Sequence, residues 1–251
     1  MAKLKRILSK KSARDSQGHI SVRHQGGRVK RFLREIDFKR NKKDVWGRVE
    51  AIEYDPNRNA DIALIVYDDG DRRYILSPLG LKVGAKVTAS EKAPIELGNC
   101  LPLSKITQGT QIHNLEIIPG KGGQMVKSAG AAAVVQGKEG EFVLVKLPSG
   151  EIRKIKGIAC ATVGQVGNLE ISKVRIRKAG INRKKGIRPS VRGIAMHPKA
   201  HPHGGGEGRS GIGLKYPKTP YGKKAVGKTR RRRKYSDNLI ISGRKKGPHV
   251  G

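Results

Sequence analysis

The sequence predicts an all-β protein with two small barrels in the middle of the chain and a basic, irregular extension at each end. Three observations carry that expectation. Short apolar or alternating runs recur between turn signals from Gly, Pro and Asp, the pattern of small antiparallel barrels. No segment sustains a helical period for four turns. The 251 residues carry a net charge of +34, and most of it lies outside the apolar runs.

Each strand has a local reason. WGRVEAIEY (46–54) predicts the first. DIALIVYDDGDRRYILS (61–77) reads as two more, joined at Asp69-Gly70, where both residues are expected to take the positive φ of a type I′ turn. VGAKVTA (83–89) follows, then QIHNLEII (111–118) and AAAVVQ (131–136). EFVLVKL (141–147) and EIRKIKG (151–157) form a hairpin about Pro148-Ser149-Gly150. A last strand is expected in a segment ending LEISKVRIR (169–177).

Between the strand groups lies PGKGGQMVKSAGAAA (119–133), with four glycines and two lysines. It suits a domain joint, and it equally suits a backbone pressed against phosphates, because glycine lacks the Cβ that holds another chain away. With the boundary near residue 120, the expected organisation is a basic extension over 1–40 and a barrel over 41–120. A second barrel then spans 121–190, and a Gly-rich basic extension spans 191–251.

Charge follows this division. Residues 1–40 hold 13 Lys/Arg against 3 acids, and residues 191–251 hold 16 against 2, so these ends carry +24 of the +34. Such a surplus repels itself in a compact state unless a polyanion cancels it. Nucleic acid does so favourably, because each neutralised phosphate releases condensed counterions. A membrane fits less well: there is no run of about 18 apolar residues, and aromatic residues make up only 4% of the chain. The C-terminal end has too little apolar surface to offset the entropy of folding and is expected to order only against a partner.

The remaining motifs point to no enzyme. MAKLKRILSKKSARDSQGHI lacks the apolar core of a secretory signal, while its basic, acid-poor character leaves an organelle open. Cys100 and Cys160 are too far apart for a CxxC site and read as buried thiols in a reducing compartment. GKKAVGKT (222–229) matches the Walker A string, and GEGRSG (206–211) matches GxGxxG. Both patterns need a strand before the loop and a helix after it, and neither context is present. His197, His201, His203 and Glu207 have the residue types of a metal site, but the surrounding cations oppose it. No cofactor is expected, apart from magnesium shared with nucleic-acid phosphates. HPHGGGEGRSG (201–211) therefore still admits a metal site, a phosphate cradle, a catalytic loop or a backbone built to lie against something. Histidine in a basic, glycine-rich setting more often stacks on a base or bonds a phosphate. An architectural DNA-binding protein would show a groove-reading helix or ribbon, and none is legible.

Four long strings narrow the choice. EYDPNRNADIALIVYDDGDRRYIL (53–76), PGKGGQMVKSAG (119–130), RPSVRGIAMHP (188–198) and HPHGGGEGR (201–209) closely resemble the universal large-subunit ribosomal protein two family, in the family's order. The resemblance runs from about Ile20 to the C-terminus and is to the bacterial-type version, with a shorter N-terminal extension than is usual there. It implies an oligonucleotide-binding-type barrel followed by an SH3-like barrel. It further implies binding to large-subunit ribosomal RNA near the peptidyl-transferase region, and support of subunit association and tRNA placement. The implied partners are that RNA and neighbouring ribosomal proteins, with no membrane and no independent homo-oligomer. The implied location is a ribosome, cytoplasmic or organellar. In the family the histidine matching His201 has been suspected of a part in peptide transfer; because RNA performs that chemistry, a positioning role is expected and no residue is assigned as catalytic.

On this reading Lys121, Lys127, Arg183, Lys184, Lys185, Arg188 and Arg192 neutralise phosphates. Gly122, Gly123, Gly130, Gly204, Gly205 and Gly206 permit close backbone approach. His201, His203 and Arg209 thread the RNA with the tail residues Lys228 and Arg230. The scarcity of aromatics favours recognition of folded RNA over stacking on a bare strand.

Overall fold

A computed structural model describes residues 4–226 and 234–244. The chain divides into two compact units. The first comprises residues 1–9, 30–175 and 236–244; the second comprises residues 10–29, 176–235 and 245–251. The extensions expected over 1–40 and 191–251 are thus not simple tails. Parts of both belong to the first unit, and in the second residues 24–29 pair with residues 184–188.

The strands are β1 (Lys5–Ile7), β2 (Phe32–Arg34), β3 (Gly47–Glu53), β4 (Ile62–Tyr67), β5 (Arg72–Leu76), β6 (Lys86–Val87), β7 (Cys100–Pro102), β8 (Gln111–His113), β9 (Ala133–Glu139), β10 (Phe142–Lys146), β11 (Ile152–Lys156) and β12 (Cys160–Val163). A single α-helix, α1 (Ala179–Lys185), precedes β13 (Ile240–Ser242) among the described residues. The fold is all-β, an oligonucleotide-binding-type barrel followed by an SH3-like barrel. The first barrel's sheet runs β5-β4-β3-β6 and the second's runs β13-β11-β10-β9-β8-β12-β7. β1 and β2 pair separately.

Alternation along β3, buried at Val49 and exposed at Arg48 and Glu50, turns one face onto Ala63, Ile65, Tyr67, Ile75, Leu81 and Val87. The second core gathers residues from β7 to β12, including Leu101, Ile112, Val135, Val143, Val145 and Ile155. A third, smaller cluster of Ala60, Leu76 and Val166 joins the barrels, with Phe38 and Ala129 packed against it. Backbone bonds cross the same joint: Leu79 N–H donates to Gln165 (2.7 Å) and Gly167 N–H to Ser77 (2.9 Å).

Several expectations are corrected. The change of sheet lies between Val87 and Cys100, not near residue 120, because β7 and β8 pair with β12. The Asp69-Gly70 turn is not type I′. Gly70 N–H bonds the Tyr67 carbonyl, Tyr67 N–H bonds that of Asp71, and only Gly70 (φ +79°) has positive φ. This is a three-residue loop closed by a left-handed glycine, whose twist also suits a hairpin. Leu147 to Glu151 repeats it about Gly150. LEISKVRIR is no strand: Leu169–Lys173 forms a 3-10 turn after Asn168 (φ +62°), and with no buried residue it has no face to pack. The strand before it is Cys160–Val163, and the sheet's last strand in chain order is β13.

His113 on β8 is buried, and its Nδ1 lies 2.8 Å from the Gly164 carbonyl, to which a neutral ring donates. Burial pushes its pKa down to about 4. In the unfolded chain the ring titrates near 6.5, so the unfolded state takes up the proton first as pH falls. Stability is therefore full above about pH 6.5 and declines between about 6.5 and 4, by about 3 kcal/mol in all. Urea denaturation across that range should show this decline in the natural chain and its flattening in His113→Gln. By the same measurement at neutral pH, Ile65→Ala should cost about 2–5 kcal/mol by leaving a core cavity. Ile52→Thr, on an exposed position of β3, should change stability by less than about 0.5 kcal/mol.

Candidate nucleic-acid interface

In the first unit the site is built around a buried carboxylate. Glu116 is 3% exposed. Its Oε1 accepts the Gly122 N–H (2.8 Å), and its Oε2 accepts the N–H groups of Cys160 (3.0 Å) and Gly120 (3.3 Å). The GKGG loop thus turns its amides inward, onto the protein's own anion. A hairpin holds the loop in place, with Leu115 and Met125 exchanging backbone bonds and Asn114 N–H donating to Val126. Beyond the loop, Gly123 N–H donates to the Phe38 carbonyl at 2.8 Å, and a Cβ on Gly123 would collide with Asn114. One on Gly122 would meet Lys39 Cγ at 2.9 Å. Gly130 donates to the Val166 and Gly167 carbonyls and accepts from Gln165. These glycines are needed for packing within the chain, a reason different from the close RNA approach expected for them.

Lys121, held between Gly120 and Gly122, is exposed. Lys127 is half-buried, its Nζ 4.2 Å from the centre of the Phe38 ring, and Arg58 Cζ lies 5.4 Å from the same centre. Two cations over one aromatic ring gain from its quadrupole yet repel each other. Burial and then the charge of Arg58 push the Lys127 ammonium below its ordinary range. Arg58 is held by Asp55, whose Oδ2 accepts its Nε at 2.7 Å. Burial pushes the Asp55 carboxyl up, but hydrogen bonds from Arg58 and Asn57 outweigh it and leave it below the usual carboxylate range. Sequence reading missed both Arg58 and Phe38; Arg58 lies within the family-like stretch 53–76, and nothing in the sequence brings either to Lys127.

Lys121, Lys127 and Phe38 border a groove of about 700 Å³ that also includes Lys39, Arg72, Arg73 and Gly123. Of its carboxylates Glu35, Asp37 and Asp71, the last two are engaged by Arg73, at 2.9 Å each. Lys39, Lys121 and Lys127 have no carboxylate partner among the described residues.

In the second unit, Gly26 N–H donates to Gly186 (2.8 Å), Val29 N–H to Lys184 (3.0 Å) and Arg188 N–H to His24 (3.0 Å). These bonds fasten residues 24–29 to the end of α1. The helix closes with Gly186 in the left-handed region, its N–H bonded to the Arg183 carbonyl. Arg183, Lys184 and Lys185 occupy the last turn, where the helix dipole favours cations. They and Arg188, Arg192 and Arg209 are all exposed. The sequence of this unit carries 26 Lys/Arg and only two acids, Asp15 and Glu207.

The HPHGGG loop packs on itself. His201 is 7% exposed, and a Cβ on Gly193 would sit 2.5–2.6 Å from its ring atoms. Its Nδ1 accepts the His203 N–H at 3.0 Å, so a neutral ring carries its proton on Nε2. His203 Nε2 accepts the Lys218 N–H at 2.9 Å, and the two rings lie 4.7 Å apart. Gly204 N–H donates to His201 and Gly205 N–H to Met196; Cβ atoms on Gly204, Gly205 or Gly206 would meet His197, Pro198 or Ser210. Among the described residues no three His, Cys, Asp or Glu side chains are grouped to hold a metal. Ahead of the Walker-like string, Thr219 to Lys223 forms a tight turn with no buried strand. Lys228 and Arg230 lie outside the described residues.

Two family models match the chain. One, described as Ribosomal Proteins L2, RNA binding N-terminal domain, covers residues 1–89. The other, described as Ribosomal Proteins L2, C-terminal domain, covers residues 96–222. Their junction coincides with the change of sheet between Val87 and Cys100.

The hydrogen bond that orients His201 is open to a direct check. In His201→Ala the His203 amide should exchange with deuterium roughly tenfold faster, the equivalent of one lost hydrogen bond of about 1.4 kcal/mol. Amides of the second barrel core, such as Val145, should keep their protection.

Proposed function

Because the chain belongs to the ribosomal protein L2 family, and so is a structural protein of the ribosome that binds ribosomal RNA, we propose that it clamps folded large-subunit RNA near the peptidyl-transferase region. The observation that carries this reading is the excess of exposed, unpaired cations beside rigid, internally satisfied backbone. In the first unit Lys39, Lys121 and Lys127 face the groove for phosphates. In the second unit Arg183, Lys184, Lys185, Arg188, Arg192 and Arg209 have almost no acids to pair with. Lys228 and Arg230 extend the same role into the tail.

Recognition is by shape and phosphate position. Loops whose glycines are packed hold their lysines at set places, so the site matches one arrangement of phosphates better than others. His201 serves as a positioning residue. Its ring fills the space over Gly193 and its Nδ1 is occupied, which fits a strut better than a proton carrier. No chemical step is assigned to the protein, and magnesium would be shared with RNA phosphates near the cations. Through the RNA, the protein supports subunit association and tRNA placement beside neighbouring ribosomal proteins. It forms no independent homo-oligomer and works in the cytoplasm or in an organelle that has its own ribosomes.

Binding of the full chain to a large-subunit ribosomal RNA fragment, measured over a series of salt concentrations, tests this. The logarithm of affinity should fall linearly with the logarithm of salt. Lys121→Gln and Lys127→Gln should each reduce the slope by about 0.7–0.9. Duplex DNA at the same salt should compete poorly; equal affinity for duplex DNA or a flat salt response would overturn the reading.

A further inference from the structure

Two thiol side chains play no part in this account of RNA binding, although the Cys160 backbone amide helps to hold Glu116. Cys100 on β7 and Cys160 on β12 are both free thiols, the first buried and the second partly exposed. The antiparallel register sets Cys100 against Thr162 and Cys160 against Pro102. Cys160 and Thr162 are two residues apart, so their side chains leave β12 on one face, and the thiols are diagonal neighbours there. Ala161 and Leu101, between them, point the opposite way into the second barrel's core. Both cysteines line a cavity of about 50 Å³ with Arg40, Lys43 and Ile158. That volume admits a molecule the size of water.

Arg40 makes the setting unusual. It is 3% exposed, its Nη2 reaches the Thr88 and Gly98 carbonyls only at 3.3 Å, and its buried Nε has no hydrogen-bond partner among the described residues. A buried guanidinium without a carboxylate favours any anion that forms beside it. The two sulfurs also influence each other. Interaction with Cys160 draws the Cys100 thiol below its ordinary range, burial opposes this, and the charge of Arg40 adds to it. Cys160 is pushed up, first by Cys100 and then by burial.

We propose that Cys100 and Cys160 are a redox modification site, a dithiol that a small hydroperoxide converts into a cross-strand disulfide between β7 and β12. The Cys100 sulfur, as thiolate, attacks one peroxide oxygen; the O–O bond breaks, and the other oxygen leaves as hydroxide and takes up the thiol proton to become water. Cys100 is then a sulfenic acid. The Cys160 sulfur attacks it, the S–S bond forms, the S–O bond breaks, and a second water departs with the Cys160 proton. Two thiols give up two hydrogens and two electrons, and the peroxide is reduced to two waters. Diagonal partners start farther apart than a disulfide requires. Cys100 is held on both sides, by β12 and by backbone bonds with Thr88 and Ser90, so the approach falls to the partly exposed Cys160 side chain.

The full chain treated with hydrogen peroxide, then denatured and alkylated, provides the test. Mass spectrometry should find one peptide joining Cys100 to Cys160 and a chain lighter by two hydrogens. In Cys160→Ser the reaction should stop at Cys100, where dimedone captures the sulfenic acid. The same peroxide treatment of the urea-unfolded chain should give the joined peptide at least tenfold more slowly. Complete alkylation of both thiols after peroxide, disulfides only between chains, or an equal rate in urea would each overturn the proposal.

Discussion

The Glu116 carboxylate, enclosed by backbone amides, is the constraint on which the candidate RNA surface depends. A buried carboxylate costs several kcal/mol unless its lone pairs are filled, and here the N–H groups of Gly120, Gly122 and Cys160 fill them. The consequence is geometric. With two loop amides tied inward, Lys121 between them is directed outward, and Gly123 lies where it can bond Phe38. Phe38 in turn supports Lys127 and Arg58. A charge inside the protein therefore places the cations of the proposed RNA site.

That arrangement gives the glycine-rich strings a double meaning. Glycine beside lysine suggests a backbone ready to lie against phosphates. The loop around Glu116 and the HPHGGG turn use their glycines first against their own neighbours, where a Cβ would collide with Asn114 or with the Met196–His197 backbone. The result is rigidity at the base of exposed cations. Rigid cations lose little entropy on binding and discriminate between phosphate arrangements, which a flexible polycation does not.

Electrostatics divides the protein in a similar way. The first unit has enough carboxylates to pair many of its cations, as Arg73 does with Asp37 and Asp71. The second unit has two acids for 26 cations. It is held instead by backbone bonds between residues 24–29 and 184–188, by the histidine pair and by packed glycines. None of these interactions neutralises charge, so the surplus remains for the ribosomal RNA.

By itself the sequence determined the β class, the hairpins about Gly70 and Gly150, the basic character of both ends and the family strings. Each of these rests on local chemistry: side-chain alternation, a left-handed glycine, net charge, or residue order. Only the tertiary structure decided that QIHNLEII belongs to the second barrel, that residues 24–29 pair with the end of α1, and that Arg58 and Phe38 join Lys127. It alone showed the GKGG amides facing Glu116 and the two cysteines sharing one cavity. Those facts depend on contacts between residues far apart in the chain, and alternation and turn chemistry say which face a strand buries without saying which strand will cover it.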